Sequence, residues 1–252
     1  MQMDRLSASV EEACLNAWPA LKEIFYDGWL IRLADGYTRR TNSVNVIGRG
    51  AYAIDEKIAY CERVYRDHGL PAYFRIRSND DPALDRMLAA RGFRAEDETR
   101  TLFMDFERAP PLPQPAAAVE IVRDQPGAEW LTAHKKFSGR AAPNDHIRRR
   151  LLDLVALPIA FAAMRDEKGR IISVAYGAVH DRLVSVQWVA TDPARRREGL
   201  SRATLSALFS WARSQGAAGA CLQVVAANSP AVKLYESLGF DRDLYRYHYR
   251  VL

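Results

Sequence analysis

Apolar residues fall at three- and four-residue spacing at Leu200, Ala203, Thr204, Ala207, Leu208 and Trp211, which predicts a helix over 199–214 closed by Gly216. A second helix is expected over Ser229–Leu238, where Gly239 stops it, and two more over 127–137 and 145–155, the latter with Asn144 as N-cap. The segment IAFAAMRDEKGRIISVAYGAVHDRLVSVQWVAT reads as three strands joined by turns at 166–169 and 180–182. VEIV and ACLQVVA are further strands, and the chain closes on alternating aromatics. Nearer the start, Ile58, Cys61, Val64 and Tyr65 mark one face of a helix over 55–68. WLIRLA and TNSVNVI read as strands, and a helix over 8–20 is expected to pack Trp18 against the sheet.

Four prolines fall within 110–115, and proline both removes an amide donor and restricts the residue before it. The stretch 109–118 is therefore expected to be a linker between a unit at 1–108 and a unit at 119–252. The two units share punctuation. HGLPAYFRI parallels QGAAGACLQV as a helix stop, turn and strand, and SNDDPALDRMLAARGF parallels NSPAVKLYESLGF as a polar turn, short helix and Gly-Phe exit. An internal duplication is the expectation.

Charge divides unevenly. Residues 1–110 carry 16 Lys or Arg against 18 Asp or Glu, whereas 111–252 carry 20 against 13, so the net +5 arises wholly in the second unit. That excess suits an anionic ligand, and a small phosphorylated molecule explains its dispersed pattern better than nucleic acid, which is not expected as a partner. No run approaches the length of a membrane span, and the opening segment lacks a signal peptide's pattern, so a cytoplasmic location without membrane association is expected. Three cysteines, Cys14, Cys61 and Cys221, suggest neither a disulfide framework nor a metal site.

The segment DPARRREGLS, 192–201, lies between an expected strand and the start of an expected helix. Free amides and the helix dipole at such a junction favour a diphosphate, Gly199 lets the backbone approach it, and Arg195, Arg196 and Arg197 can add charge. By itself a basic cap before a helix is weak evidence, and a solvated charge run is the favoured reading. VATDPARRREGLSRATLSALFSWARSQG, followed by CLQVVAANSPAVKLYESLGF, closely resembles the GCN5-related N-acetyltransferase (GNAT) family. The family's loop pattern falls on Arg196, Gly199 and Ser201, with Ser201 departing from the small residue expected. The resemblance extends over roughly 119–252.

It implies an α/β fold of tandem GNAT-like domains, each a mixed central sheet flanked by helices, and a donor site for acetyl-CoA with no metal. Cofactor contacts are implied at Trp188, Val189 and Ala190 through backbone, at Arg195, Arg196, Arg197, Glu198, Gly199, Leu200 and Ser201 around the phosphates, and at Asn228 and Tyr235. Tyr235 matches the family position that donates a proton to the departing thiolate, which a phenol can do near neutral pH. The strand LVSVQWVAT carries no carboxylate to deprotonate the amine. His134, His180 and a relay through backbone and water stay open as bases.

In the first unit, Leu88 stands where Tyr235 does in the second, and NVIGRGAY lacks the loop spacing, so 1–108 resembles a degenerate copy without donor chemistry. Trp29, Arg32, Tyr37, Arg39, Arg40, Asn42 and Asn45 are its candidates for shaping an acceptor pocket, and their arginines suit an acidic acceptor. The expected activity is acetyl transfer from acetyl-CoA to the primary amine of a small molecule or peptide, by a monomer or homodimer. An acyl-CoA-binding sensor is the main alternative, and a nucleic-acid- or protein-binding module the third.

Overall fold

Residues 4–111, 119–139 and 145–252 are described by the computed structural model of the chain. In chain order they form α1 (Arg5–Asn16), β1 (Lys22–Tyr26), β2 (Trp29–Leu33), β3 (Val44–Val46), α2 (Ile54–Asp67), β4 (Phe74–Arg77), α3 (Pro82–Ala90), β5 (Arg94–Asp105), β6 (Val119–Arg123), α4 (Ala128–Ser138), α5 (Asp145–Asp153), β7 (Ile159–Arg165), β8 (Ile171–His180), β9 (Leu183–Thr191), α6 (Leu200–Ser214), β10 (Gly219–Val225), α7 (Ser229–Leu238) and β11 (Arg242–Val251). Helix α1 starts earlier than expected, where Asp4 accepts from the Ser7 amide at 2.9 Å, and ends before Pro19, whose predecessor is barred from helical geometry. Most of the expected linker, 112–118, and the Asn144 cap lie outside the described residues. Among the described residues no helix is long and apolar enough to cross a membrane.

The expectation of one sheet per unit needs correcting. The strands form a single mixed sheet of 11, in the order β1-β2-β3-β4-β11-β5-β10-β9-β8-β7-β6. Strand β11 pairs antiparallel with β4 through Tyr247–Arg77 to Arg250–Phe74, and β5 pairs antiparallel with β10 from Gly219–Asp105 to Val225–Thr99. Each half thus lends its last strand to the other, and the two lent strands pair together at the centre. The physical reason is edge satisfaction: β4 and β10 would each expose a row of amides and carbonyls without the strand they receive.

Apart from the exchange, the halves repeat one order. The series β1-β2-β3-β4 and β7-β8-β9-β10 each run antiparallel, antiparallel, then parallel. Their helix ends match as well. The Leu70 amide bonds to the Tyr65 carbonyl as that of Ala217 does to Ala212, and Phe93 bonds to Leu88 as Phe240 does to Tyr235. Positive-φ glycines, Gly92 and Gly239, make the last two turns possible.

Strand alternation sorts the faces. Phe74 and Ile76 of β4 join the core beneath α2 and α3, while Leu222 and Val224 of β10 join the core beneath α6 and α7. Arg75 and Cys221 point the other way, towards α1. There Glu11, 3% exposed, takes Arg75 Nη1 and Nη2, accepts from the Tyr245 hydroxyl at 2.5 Å and lies 3.6 Å from Arg77. Burial alone would raise the Glu11 pKa, but the charge and hydrogen bonds of Arg75, with Arg77 and Tyr245, hold it at about 2. This cluster ties α1 and β4 to β11, which arrives from the far end of the chain.

A carboxylate held below its ordinary value stabilises the fold above that value and loses its contribution as pH falls through the depressed one. Glu11→Gln is expected to cost roughly 3–5 kcal/mol at neutral pH, since it strands Arg75 without its counter-charge. In urea unfolding, the gap between wild type and variant should be constant above pH 5 and close as pH approaches about 2. A gap that does not change over that interval would remove Glu11 from the account.

Candidate functional site

Strands β9 and β10 are parallel neighbours only through Leu183–Gly219, Val184–Ala220 and Ser185–Cys221. Beyond Ser185 they separate, because β9 carries a bulge. Trp188 and Val189 together stand opposite Ala175 of β8, between the Val174–Ala190 and Tyr176–Gln187 pairs. Trp188 takes a φ of +53°, a left-handed conformation costly for a bulky residue. Packing holds it there. The indole lies edge-on to Trp18 at 4.8 Å and to Tyr176 at 5.3 Å, and stacks on His134 at 4.6 Å. Backbone along 186–190 is thereby left without a partner strand on the β10 side.

At the end of β9 the chain passes through a 3-10 turn, Pro193–Arg195, capped by Asp192. Arg197 and Gly199 have φ of +68° and +76°, and a side chain built on Gly199 would meet nothing within 4 Å. The amides of 200–202 are the first of the helix that follows and have neither an intrahelical acceptor nor a side-chain cap. They open α6, so unpaired donors and the positive end of the helix dipole converge on one space. Arg195 is engaged by Glu198 at 2.6 Å, whereas Arg196 and Arg197 are exposed and have no carboxylate partner among the described residues. Thr191 Oγ1 lies 2.6 Å from the Ser201 hydroxyl, so the residue that departs from the family pattern fastens the helix to the strand. Leu200 is buried in the helix's first turn.

Tyr235 lies on α7 and packs in the cluster that holds Val186, Val189 and Val224, the walls of the split. Burial raises its pKa above the ordinary phenol value, so it stays protonated through neutral pH. Its hydroxyl has no hydrogen-bond partner among the described residues, which leaves it free to donate. Asn228 is the N-cap of the same helix, its side chain accepting from the Ala231 amide at 3.4 Å; it sets where α7 begins. His180 is remote from the bulge, at the β8–β9 turn beside Glu12 at 3.7 Å. Among the described residues no group of three or more His, Cys, Asp or Glu could hold a metal.

The equivalent loop of the first half is closed by its own chain. Asp27 accepts from the Ala51 amide at 2.8 Å and the Tyr52 amide at 2.9 Å, and Lys57 lies 3.1 Å from the same carboxylate. A side chain on Gly50 would strike Asp27 at 1.9 Å. The amides that bind an anion in such a loop already hold one, and Leu88 lies fully buried where the other half has a phenol. Sequence reasoning missed Asp27, because nothing local joins position 27 to position 51.

Of the acceptor candidates in the first half, Arg32, Arg40 and Asn45 line a cavity together, joined by Arg75 and Gln223, which the sequence did not single out. The others serve the fold. Trp29 is core under Lys57, Asn42 caps the Ala34 and Gly36 amides, Tyr37 packs on Trp18, and Arg39 pairs with Glu96 and Asp97.

A profile of the family described as "Probable histone acetyltransferase Rv0428c C-terminal" matches residues 8–250. The chain is 23% identical over 246 residues to "Uncharacterized N-acetyltransferase YobR" of Bacillus subtilis (strain 168), covering 96% of this chain and 97% of that protein. Its fold is similar to that of a "GCN5-related N-acetyltransferase from Kribbella flavida", with a TM-score of 0.68 at 16% identity over 97% of this chain and 93% of that one. A "Tandem GNAT protein from the clavulanic acid biosynthesis pathway (without AcCoA)" gives 0.64 at 13% identity, over 82% and 72% of the two chains.

The loop geometry generates a test by CoA binding. Arg196→Ala should weaken CoA by roughly 10- to 100-fold, the loss of one charge-assisted phosphate contact. Gly199→Val should weaken it as well, since valine resists a positive φ and fills the space before the amides. Calorimetry alongside circular dichroism checks both, and undiminished affinity in both folded variants would exclude the loop.

Proposed function

The chain belongs to the GCN5-related N-acetyltransferase family, and from that premise we propose that it transfers an acetyl group from acetyl-CoA to the primary amine of a small molecule or peptide. The observation that carries this reading is the split between β9 and β10, with unpaired amides at one end and Tyr235 against its wall. The residues fit the donor. The amides of 200–202 with Arg196 and Arg197 suit its diphosphate, and the unpartnered edge of β9 suits the amide-bearing pantetheine arm.

Acetyl-CoA supplies an activated thioester. The amine nitrogen attacks the thioester carbonyl, an N–C bond forms, the C–S bond breaks and its electron pair leaves on sulfur. Tyr235 donates its phenolic proton to that sulfur. The amine's proton passes to His134, the imidazole stacked on the bulge residue Trp188. We read the first half as a copy of the fold that gave up donor binding, its loop sealed by Asp27.

The test is single-turnover acetyl transfer with a panel of primary amines. Tyr235→Phe keeps the ring and its packing but loses the proton, so the transfer step should slow by about 100- to 10,000-fold while CoA affinity changes little. His134→Gln should slow the transfer step as well, with CoA affinity changed little. An unchanged transfer rate in Tyr235→Phe across the pH series would reject its role. CoA binding by wild type without transfer to any amine would favour an acyl-CoA-binding module instead.

A further inference from the structure

The split is a slot with two faces. Val184, Val186, Leu222 and Val224 point to the α6–α7 side, where Tyr235 lies. By strand alternation Ser185, Gln187, Cys221 and Gln223 point to the α1 side, and Ser185 Oγ reaches Cys14 of α1 at 3.8 Å. On that second side lies the cavity to which Arg32, Arg40, Arg75, Asn45 and Gln223 contribute. It holds about 230 Å³, its open mouth included. Such a space takes the polar tip of a small molecule.

Its charge is unbalanced. Arg32 is spent on Glu23 and on the carbonyls of Arg40, Leu15 and Trp18. Arg75 gives both terminal nitrogens to Glu11, and Arg77 is held by Asp80. Arg40 has no carboxylate partner among the described residues. Its contact is Gln187 Oε1 at 2.8 Å, one residue from the bulge at Trp188. Four guanidiniums therefore face three carboxylates, and Arg75 Nε is buried without a hydrogen-bond partner. A cation and a donor left unsatisfied in a half-buried site are costly unless a ligand completes them.

We propose that this cavity is the acceptor end of the transfer site and selects amines that also carry a carboxylate, with Arg40 as its recognition residue. The proposal rests on the acetyl-transfer reading for the amine end alone; anion capture stands on the cavity itself. An acceptor whose carboxylate meets Arg40 places its amine along Gln187 towards the bulge, on the face of the split opposite Tyr235. Amine and leaving thiolate are then served from different faces of the slot.

The test pairs each amino acid with its amide: glycine, β-alanine and 4-aminobutyrate beside glycinamide, β-alaninamide and 4-aminobutanamide. Wild type should prefer the carboxylate member by at least about 10-fold in kcat/KM for the best pair, and Arg40→Ala should abolish that preference, chiefly through KM. Arg40→Lys keeps the charge without the planar fork and should restore part of it. In parallel, calorimetry with glutarate, which has no amine, should show binding to wild type that weakens about 10-fold or more in Arg40→Ala. Glutarate binding lost in Arg40→Ala with no amine acetylated would retain the cavity and refute the transfer reading. Acetylation with equal use of acids and amides, or a preference untouched in folded Arg40→Ala, would overturn the proposal.

Discussion

The antiparallel pairing of β5 with β11 is the constraint from which the rest of the molecule follows. Because β5 covers the whole of β10, from Gly219 to Val225, that strand keeps a full ladder on one edge while it leaves β9 on the other. A strand without that support could not part from its neighbour after Cys221 without exposing both edges. The opening for a donor is thus afforded by a strand from the opposite half of the chain. Glu11 secures the same junction from above, binding Arg75 of β4 and Tyr245 of β11 at once.

Strain concentrates where the split begins. Trp188 occupies a left-handed conformation that costs of order 1–3 kcal/mol, and the stack of Trp18, Tyr176 and His134 around its ring offsets it. Trp18 follows α1 in the first half, so the first half helps to hold the bulge that parts two strands of the second. The halves share their strand order and differ in how they satisfy one set of amides. In the first, Asp27 closes the loop from within; in the second, the amides of 200–202 have no such carboxylate among the described residues.

Residues near one another in sequence made much of this legible. Helix α7 runs over Ser229–Leu238 as its periodicity and Gly239 indicate, and Gly199 sits at the positive φ that the loop pattern demands. These features depend on local sterics, helix capping and the 3.6-residue repeat, which a short window of sequence contains. The loop over 192–199 and Tyr235 belong to this class, since one strand-loop-helix segment and one helix carry them.

Tertiary structure alone decided the exchange of β5 and β11, the sealing of the first loop and the acceptor cavity. The strand over 94–105 begins with alternating charge that resembles solvated surface, and only its place between β10 and β11 explains why Thr99 and Thr101 are buried. Arg32 and Arg40 look alike in sequence, yet one is spent on the fold and the other is left without a counter-charge. Which arginine is which depends on Glu23, Gln187 and Glu11, drawn from strands and a helix that meet only when the sheet closes. Charge compensation is set by distance in space, and distance along the chain carries no record of it.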